Sequence, residues 1–287
     1  MEGPLIIGVD GSEPSLQALD WAVDEAVRRT GALRVLHASR WGHYEDRRPS
    51  FGTDRGAVQR HAEYIAAQSV ERAAKRAPEL GVTAEVVAHD PASALIEASH
   101  DAGVLVVGSR GHGTFGGLLL GGVSLPVAAH AQCPVVVVRG HDRNVRGGCG
   151  QVALGIGDPE RAAAATGFAF RAAELRRSRL VALRAWRCPA HELPDFPTDD
   201  REAHVVHAEN ELAAALHDPA ERYTSVPVHA VQQEGPARDV LVSASDRSDL
   251  LVVGARRRRS GFGLQLGPVG HAVLHHSACP VAVVPHD

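Results

Sequence analysis

The sequence predicts an α/β protein built as two tandem open α/β sandwich domains, each a five-stranded parallel sheet wound with helices on both faces. Three observations carry that prediction: a repeat running the length of the chain, apolar strand runs alternating with longer helical patterns, and connections long enough for right-handed crossovers. VLVVG at 104–108 recurs as LLVVG at 250–254, and CPVVVV at 133–138 as CPVAVV at 279–284, both 146 residues apart. LIIGV at 5–9 corresponds to VALGI at 152–156, and LRVLHA at 33–38 to LVALRA at 180–185, at an offset of 147. The expected domains are therefore 1–139 and 151–287. GHDRNVRGGCG at 140–150 has the glycines and charges of a linker between them.

In the first copy the strand runs fall at 5–9, 33–37, 82–88, 104–107 and 134–138, nearly continuous in apolar residues, as strands covered on both faces are. Leu16, Leu19, Val23, Ala26 and Val27 recur at helical spacing, with Ser12 as the expected N-cap and Gly31 as the closing residue. Residues 57–77 and 92–101 also carry helical patterns, and a further helix is expected from about Gly122 to Ala131. Long polar loops follow the second strand of each copy, at 40–56 and 186–200. In sheets of this kind ligands bind beyond the carboxyl ends of the strands, where the strand order reverses.

Composition excludes several classes of function. Hydrophobic residues are 44% of the 287 and charged residues 22%, enough for a substantial core in each half. The formal charge of -4 gives no net attraction for nucleic acid or an anionic membrane. Lys75 is the sole lysine and follows no glycine-rich loop, so a Walker A loop has no candidate. The four cysteines, Cys133, Cys149, Cys188 and Cys279, are widely spaced and contain no CxxC, which points to a reducing cytoplasm rather than a zinc ribbon or disulfide framework. The N-terminal MEGPLIIGVDGSEP is too acidic for a signal peptide, and no apolar run approaches the ~20 residues of a membrane-spanning helix.

The chemistry-bearing segment is VVGSRGHGTFGGLLLGGVSLPVAAHAQCPVVVV, 106–138, in which Gly108, Gly111 and Gly121 are spaced by two and nine residues. A strand end, a glycine turn and a helix start together let backbone amides approach an anion, with the helix N-terminus adding unpaired donors. Ser124 offers a hydroxyl donor in the first turn, and Arg110 is expected to face solvent. Asp10, at the carboxyl end of the first strand, is placed to accept from ribose hydroxyls or an adenine amino group, or else to serve as a turn residue in DGS.

With IIGVDGS (6–12), VLHAS (35–39), VVGSRG (106–111), LLLGGVS (118–124) and CPVVVVR (133–139), the chain resembles a tandem member of the universal stress protein family, like those of actinobacteria, over nearly its whole length. The resemblance implies an adenine nucleotide alpha hydrolase-like fold and ATP binding, often without marked turnover. It implies that Asp10 and Ala38 lie at the adenosine, and Gly108, Gly111, Gly121, Gly122, Val123 and Ser124 at the phosphates. The family pattern G-x2-G-x9-G-[ST] is broken at Gly122, where Ser or Thr is usual, so one hydroxyl contact is missing.

The second copy departs further. In VVGARRRRSGFGLQLGPVGHAVLHH (252–276), Gly254 and Gly267 remain, but Arg257 stands for the second glycine, Pro268 for Ser/Thr and Gly270 for the later serine, while Gly157 replaces Asp10. Proline has no N–H to offer. The second copy is expected to bind ATP poorly, and the chain to hold about one nucleotide. The run Arg256–Arg259 is expected to be a solvated loop, with no nucleic-acid role. His271, His275 and His276 share helical spacing but lack a carboxylate or cysteine to complete a metal shell, so no metal site is expected.

No histidine base is fixed near Ser109, Ser124 or Asp10, and GxSxG, HxGH and SGGxDS are absent, so no catalytic residues are expected. The expected function is a nucleotide-dependent regulator or sensor. Two alternatives stand beside it: a slow ATPase or nucleotidyl-transfer enzyme, with Mg2+ held mainly through the phosphates, and a nucleotide-free interaction module. The last strand of each copy is expected at a sheet edge. By resemblance such strands pair copy to copy, which implies an internal pseudo-dimer of the two domains; a homodimer of whole chains is left open.

Overall fold

The computed structural model describes residues 3–39, 55–111, 120–187, 201–257 and 264–286. The long loops expected after the second strand of each copy lie mostly outside the described residues, at 40–54 and 188–200. The chain falls into two compact units, the first ending at Arg139 and the second starting at Gly140, except that Leu264 groups with the first.

The first unit runs β1 (Leu5–Gly8), α1 (Glu13–Arg28), β2 (Leu33–Ala38), α2 (Arg55–Arg76), β3 (Val82–Val87), α3 (Pro91–Ala98), β4 (Val104–Gly108), α4 (Ser124–His130) and β5 (Val135–Val138). Its strands lie in the order β3-β2-β1-β4-β5. The described pairs are parallel, with Leu5 opposite Leu33 on one side and Val104 on the other. The chain moves outward from β1 to β3, then returns to the far side of β1 as β4, and the strand order reverses between these two neighbours, the place where a crevice opens beyond their carboxyl ends. Ile6, Ile7, Leu19, Leu33 and Leu105 are fully buried at the centre. β3 is the exception to strands covered on both faces: Thr83 and Ala84 are exposed, as suits an edge.

Helix α1 starts as its sequence predicts, with Ser12 Oγ accepting from Ser15 N–H at 3.4 Å. Its end differs. Thr30, not Gly31, takes the left-handed conformation (φ 50°), and Gly31 contributes its N–H to Ala26 O at 3.0 Å. This is the paired bonding of a Schellman close, with a β-branched residue where glycine is usual. Two forked ion pairs fix α2 on α1: Arg72 on Asp20 at 2.7 Å for both bonds, and Arg76 on Asp24 at 2.6 and 2.8 Å. These hydrogen bonds hold both guanidinium groups above their ordinary pKa. Helix α4 is shorter than the expected Gly122–Ala131, beginning at Ser124 and ending at His130.

The second unit runs α5 (Asp142–Val145), β6 (Gln151–Gly155), a 3-10 turn at Pro159–Arg161, α6 (Ala163–Arg176), β7 (Arg179–Trp186), α7 (Arg201–Arg222), β8 (Val228–Glu234), α8 (Ala237–Ser245), β9 (Leu250–Arg257), β10 (Leu264–Gln265), α9 (Pro268–His276) and β11 (Val281–His286). Its five long strands repeat the order as β8-β7-β6-β9-β11. Phe170, Leu154, Leu180, Leu212, Leu250, Leu251 and Leu274 form its fully buried centre.

The segment 140–150 joins the units but is no free tether. Asn144 is buried, and its Nδ2 donates to Ser245 O, Asp246 O and Ser248 O at 3.1, 3.0 and 2.8 Å, closing the end of α8. Cys149 N and Gly150 N donate to the Asp249 carboxylate at 2.7 Å each. Most of the segment is exposed, as its polar composition suits, but Asn144 and the amides of Cys149 and Gly150 anchor it to the second unit.

Candidate functional site

The crevice beyond β1 and β4 is shaped by a carboxylate and by glycines that let main chains close on one another. Asp10 follows β1, and its Oδ1 accepts from Ser12 N at 3.0 Å and Ser12 Oγ at 2.5 Å, making a tight Asx turn before α1. Gly11 turns the chain there with φ +81°. Asp10 N–H donates to Ser15 Oγ at 3.3 Å. Asp10 Oδ2 looks across at the turn after β4, where a Cβ on Gly111 would lie only 2.2 Å from it. A Cβ on Gly108 would lie 2.7 Å from Pro14 O, so β4 could not approach α1 with any larger residue. Through Oδ1, Asp10 is thus the turn residue that one of its two readings expected.

On the far side of the crevice, Gly121 N–H donates to Ser109 O at 2.8 Å, which ties the start of α4 to the end of β4. Ser124 Oγ donates to Gly108 O at 2.6 Å. This corrects the expectation that the Ser124 hydroxyl is a free donor: its proton is committed to the strand, leaving the oxygen as an acceptor and the backbone N–H as the outward donor. Around Gly122 the described residues leave open space, with no atom within 4 Å of where a Cβ would stand.

A cavity of about 330 Å³ lies between these walls. It brings together all eight residues named from the sequence: Asp10, Ala38, Gly108, Gly111, Gly121, Gly122, Val123 and Ser124. Seven further lining residues were not singled out from the sequence: Gly8, Val9, Ser15, Leu36, Pro91, Leu95 and Val107. Pro91 and Leu95 stand one helical turn apart in α3, a spacing that could have flagged them as a wall. Arg110 lines the cavity at its exposed rim and has no hydrogen-bond or ion-pair partner among the described residues. Beneath the floor, buried His37 meets Val9 O through Nδ1 at 2.8 Å.

The second unit repeats this architecture and alters its chemistry. Gly157 leaves no carboxylate at the place of Asp10. Arg184, the counterpart of His37, donates from Nη1 to Ile156 O at 3.3 Å and to Gly157 O. Strand β9 does not turn after Gly254, as β4 does after Gly108, but continues to Arg257, with Ala255 and Arg256 opposite Pro285 and His286 of β11. Of the arginine run expected to be a solvated loop, Arg256 and Arg257 therefore belong to a strand, and 258–259 lie outside the described residues. His271 and His275 stack with ring centroids 6.5 Å apart. No metal-holding cluster of three or more such side chains occurs among the described residues.

Elsewhere the chemistry is quiet. Burial pushes the Cys279 thiol up to about 12, and burial followed by the nearby Asp249 carboxylate raises that of Cys149. No helix of the described residues is long and apolar enough to cross a membrane.

Comparison with known proteins agrees with this architecture. The profile of the universal stress protein family matches residues 1–139 and again 150–285. Universal stress protein Rv2623 of Mycobacterium tuberculosis is 33% identical over 290 residues, covering 97% of this chain and 95% of that protein. Universal stress protein Rv2005c of the same organism is 32% identical over 296 residues, covering 97% and 96%. A solved universal stress protein from Archaeoglobus fulgidus covers 98% of each chain at a TM-score of 0.70 and 20% identity, a likeness of fold.

Proposed function

The chain belongs to the universal stress protein family, and from that premise we propose that its first unit binds ATP and that occupancy by the nucleotide makes the protein a regulator or sensor rather than an enzyme. The observation that carries this reading is the convergence of Asp10, the spaced glycines and the start of α4 on one cavity of about 330 Å³ at the reversal of strand order. Leu36, Pro91 and Leu95 supply an apolar wall for a base. Asp10 is the acceptor for ribose hydroxyls. The amides of Val123 and Ser124 precede the first intrahelical donor of α4, Val127 N–H, and supply main-chain donors for phosphate. Arg110 at the rim adds a positive charge, where an anion would give it a partner.

Binding without turnover is favoured by the composition of the wall. Among the described lining residues Asp10 is the sole carboxylate, and one of its oxygens is engaged in the Asx turn. An attacking water would need a base that these residues do not otherwise provide. Mg2+ would arrive with the triphosphate and neutralise part of its charge, held mainly by phosphate oxygens. In the second unit the missing carboxylate and the continued strand β9 together disfavour an adenine nucleotide.

The test is to identify the ligand released from purified protein by mass spectrometry and to titrate the stripped protein with ATP. Bound ATP, and an Asp10→Ala variant at least tenfold weaker, support the proposal. Steady release of ADP or AMP product abolished by Asp10→Ala would replace it with the slow enzyme, and no ligand or titration signal would leave an interaction module.

A further inference from the structure

The second unit keeps a cavity of its own, about 410 Å³, larger than that of the first unit. It has no carboxylate at the place of Asp10, keeps Asp158 on its wall, and adds guanidinium groups. Arg161, Arg184 and Arg256 all line it. Arg184 is held rigidly: Nε and Nη2 bond Glu211 Oε2 at 2.9 and 2.7 Å, and Nη1 serves the carbonyls at the end of β6. Arg161 faces Asp158 at 3.3 Å. Arg256 is different: it is half-buried on the strand extension of β9, and it has no hydrogen-bond or ion-pair partner among the described residues. Among the described residues, three guanidinium groups thus meet two carboxylates, Asp158 and Glu211, which leaves one positive charge over.

A guanidinium cannot lose its proton at ordinary pH, so its charge must be met by water or by an anion. Its planar fork matches carboxylate and phosphate oxygens two at a time. The remaining walls are largely apolar, with Ala165, Leu183, Leu241, Val253 and Val283. A nucleotide is disfavoured here for the reasons given above, yet the cavity is neither filled by larger side chains nor made neutral.

We infer that the second cavity is a site for a compact organic oxyanion, a carboxylate or phosphate monoester on a short apolar body, with Arg256 as its counter-ion. Arg184, locked by Glu211 and the β6 carbonyls, positions the wall and contributes field rather than contact. The inference stands apart from ATP binding by the first unit, because it uses none of that unit's residues.

The experiment titrates the full chain, in the presence of saturating ATP and at constant ionic strength, with isovalerate, phenyl phosphate and the neutral control isovaleramide, followed by ligand-observed saturation-transfer NMR. The expected result is binding of at least one of the two oxyanions, none of the amide, and at least a tenfold loss in Arg256→Gln with melting temperature and ATP affinity unchanged. The tighter of the two oxyanions tells whether a carboxylate or a phosphate is the natural head group. Failure of both to bind, equal binding of the amide, or unchanged affinity in Arg256→Gln would overturn the inference. ATP stoichiometry, measured separately, reports on the first unit alone, so failure of one proposal is distinguishable from failure of the other.

Discussion

Replacing Gly122 with serine should tighten nucleotide binding, and its size follows from the geometry. Gly122 interrupts the family pattern at the residue where a hydroxyl is usual, just ahead of Val123, the N-cap of α4. Its backbone is not in the left-handed region, and no atom of the described residues lies within 4 Å of an added Cβ. The substitution therefore carries neither strain nor a clash. A hydrogen bond to a charged group contributes about 1.5 to 3 kcal/mol. At about 1.4 kcal/mol per factor of ten, Gly122→Ser should bind ATP roughly tenfold to a hundredfold more tightly. The assay is isothermal titration of nucleotide-stripped protein with ATP, with adenosine titrated in parallel. A gain for ATP and none for adenosine places the new hydroxyl at phosphate. Unchanged or weaker ATP affinity in a variant with normal melting temperature would refute the assignment of this turn to the phosphates.

Gly111→Ala should weaken ATP at least tenfold, because its Cβ would fall 2.2 Å from Asp10 Oδ2 and drive the carboxylate or the turn aside; titration calorimetry reads the loss, and circular dichroism checks the fold. Thr30→Gly and Arg177→Gly each relieve a left-handed residue at a helix end, φ 50° and 51°, and should stabilise their units by about 0.5 to 1 kcal/mol in denaturant unfolding. Asn144→Ala should destabilise the second unit by about 2 kcal/mol, since three carbonyls at the end of α8 lose their shared donor; a lower urea midpoint at unchanged slope would show it. With its thiol pushed up to about 12, Cys279 is almost wholly protonated at pH 8 and should resist iodoacetamide in the native protein while reacting once the chain is unfolded, as peptide mass spectrometry will show.

Four strands of each copy were legible because each carries its own run of Val, Ile and Leu and because the repeat shows that run twice; the run at 82–88 stood on its own pattern. The first site was legible for a related reason: Gly108, Gly111 and Asp10 are small or acidic where the backbone itself must pass within touching distance. What stayed hidden depends on partners distant in sequence. Nothing local in Ser124 tells that its proton goes to Gly108 O, and nothing in the polar run at 140–150 tells that Asn144 reaches the end of α8. Gly31 marked the end of α1 correctly to within one residue, but the left-handed position fell to Thr30, which composition alone would not choose. In the second unit the losses at Gly157, Arg257 and Pro268 were readable one by one. Their joint consequence, a persisting cavity with a different charge, needed the register of β9 on β11 and the pinning of Arg184 by Glu211.

The count of adenine nucleotides per chain bears most directly on the function proposed for this fold. Native mass spectrometry of the whole chain titrated with ATP should show a single bound molecule, lost in Asp10→Ala and retained in Arg256→Gln. Two molecules per chain, or one that survives Asp10→Ala and disappears in Arg256→Gln, would put the nucleotide in the other unit and contradict the account.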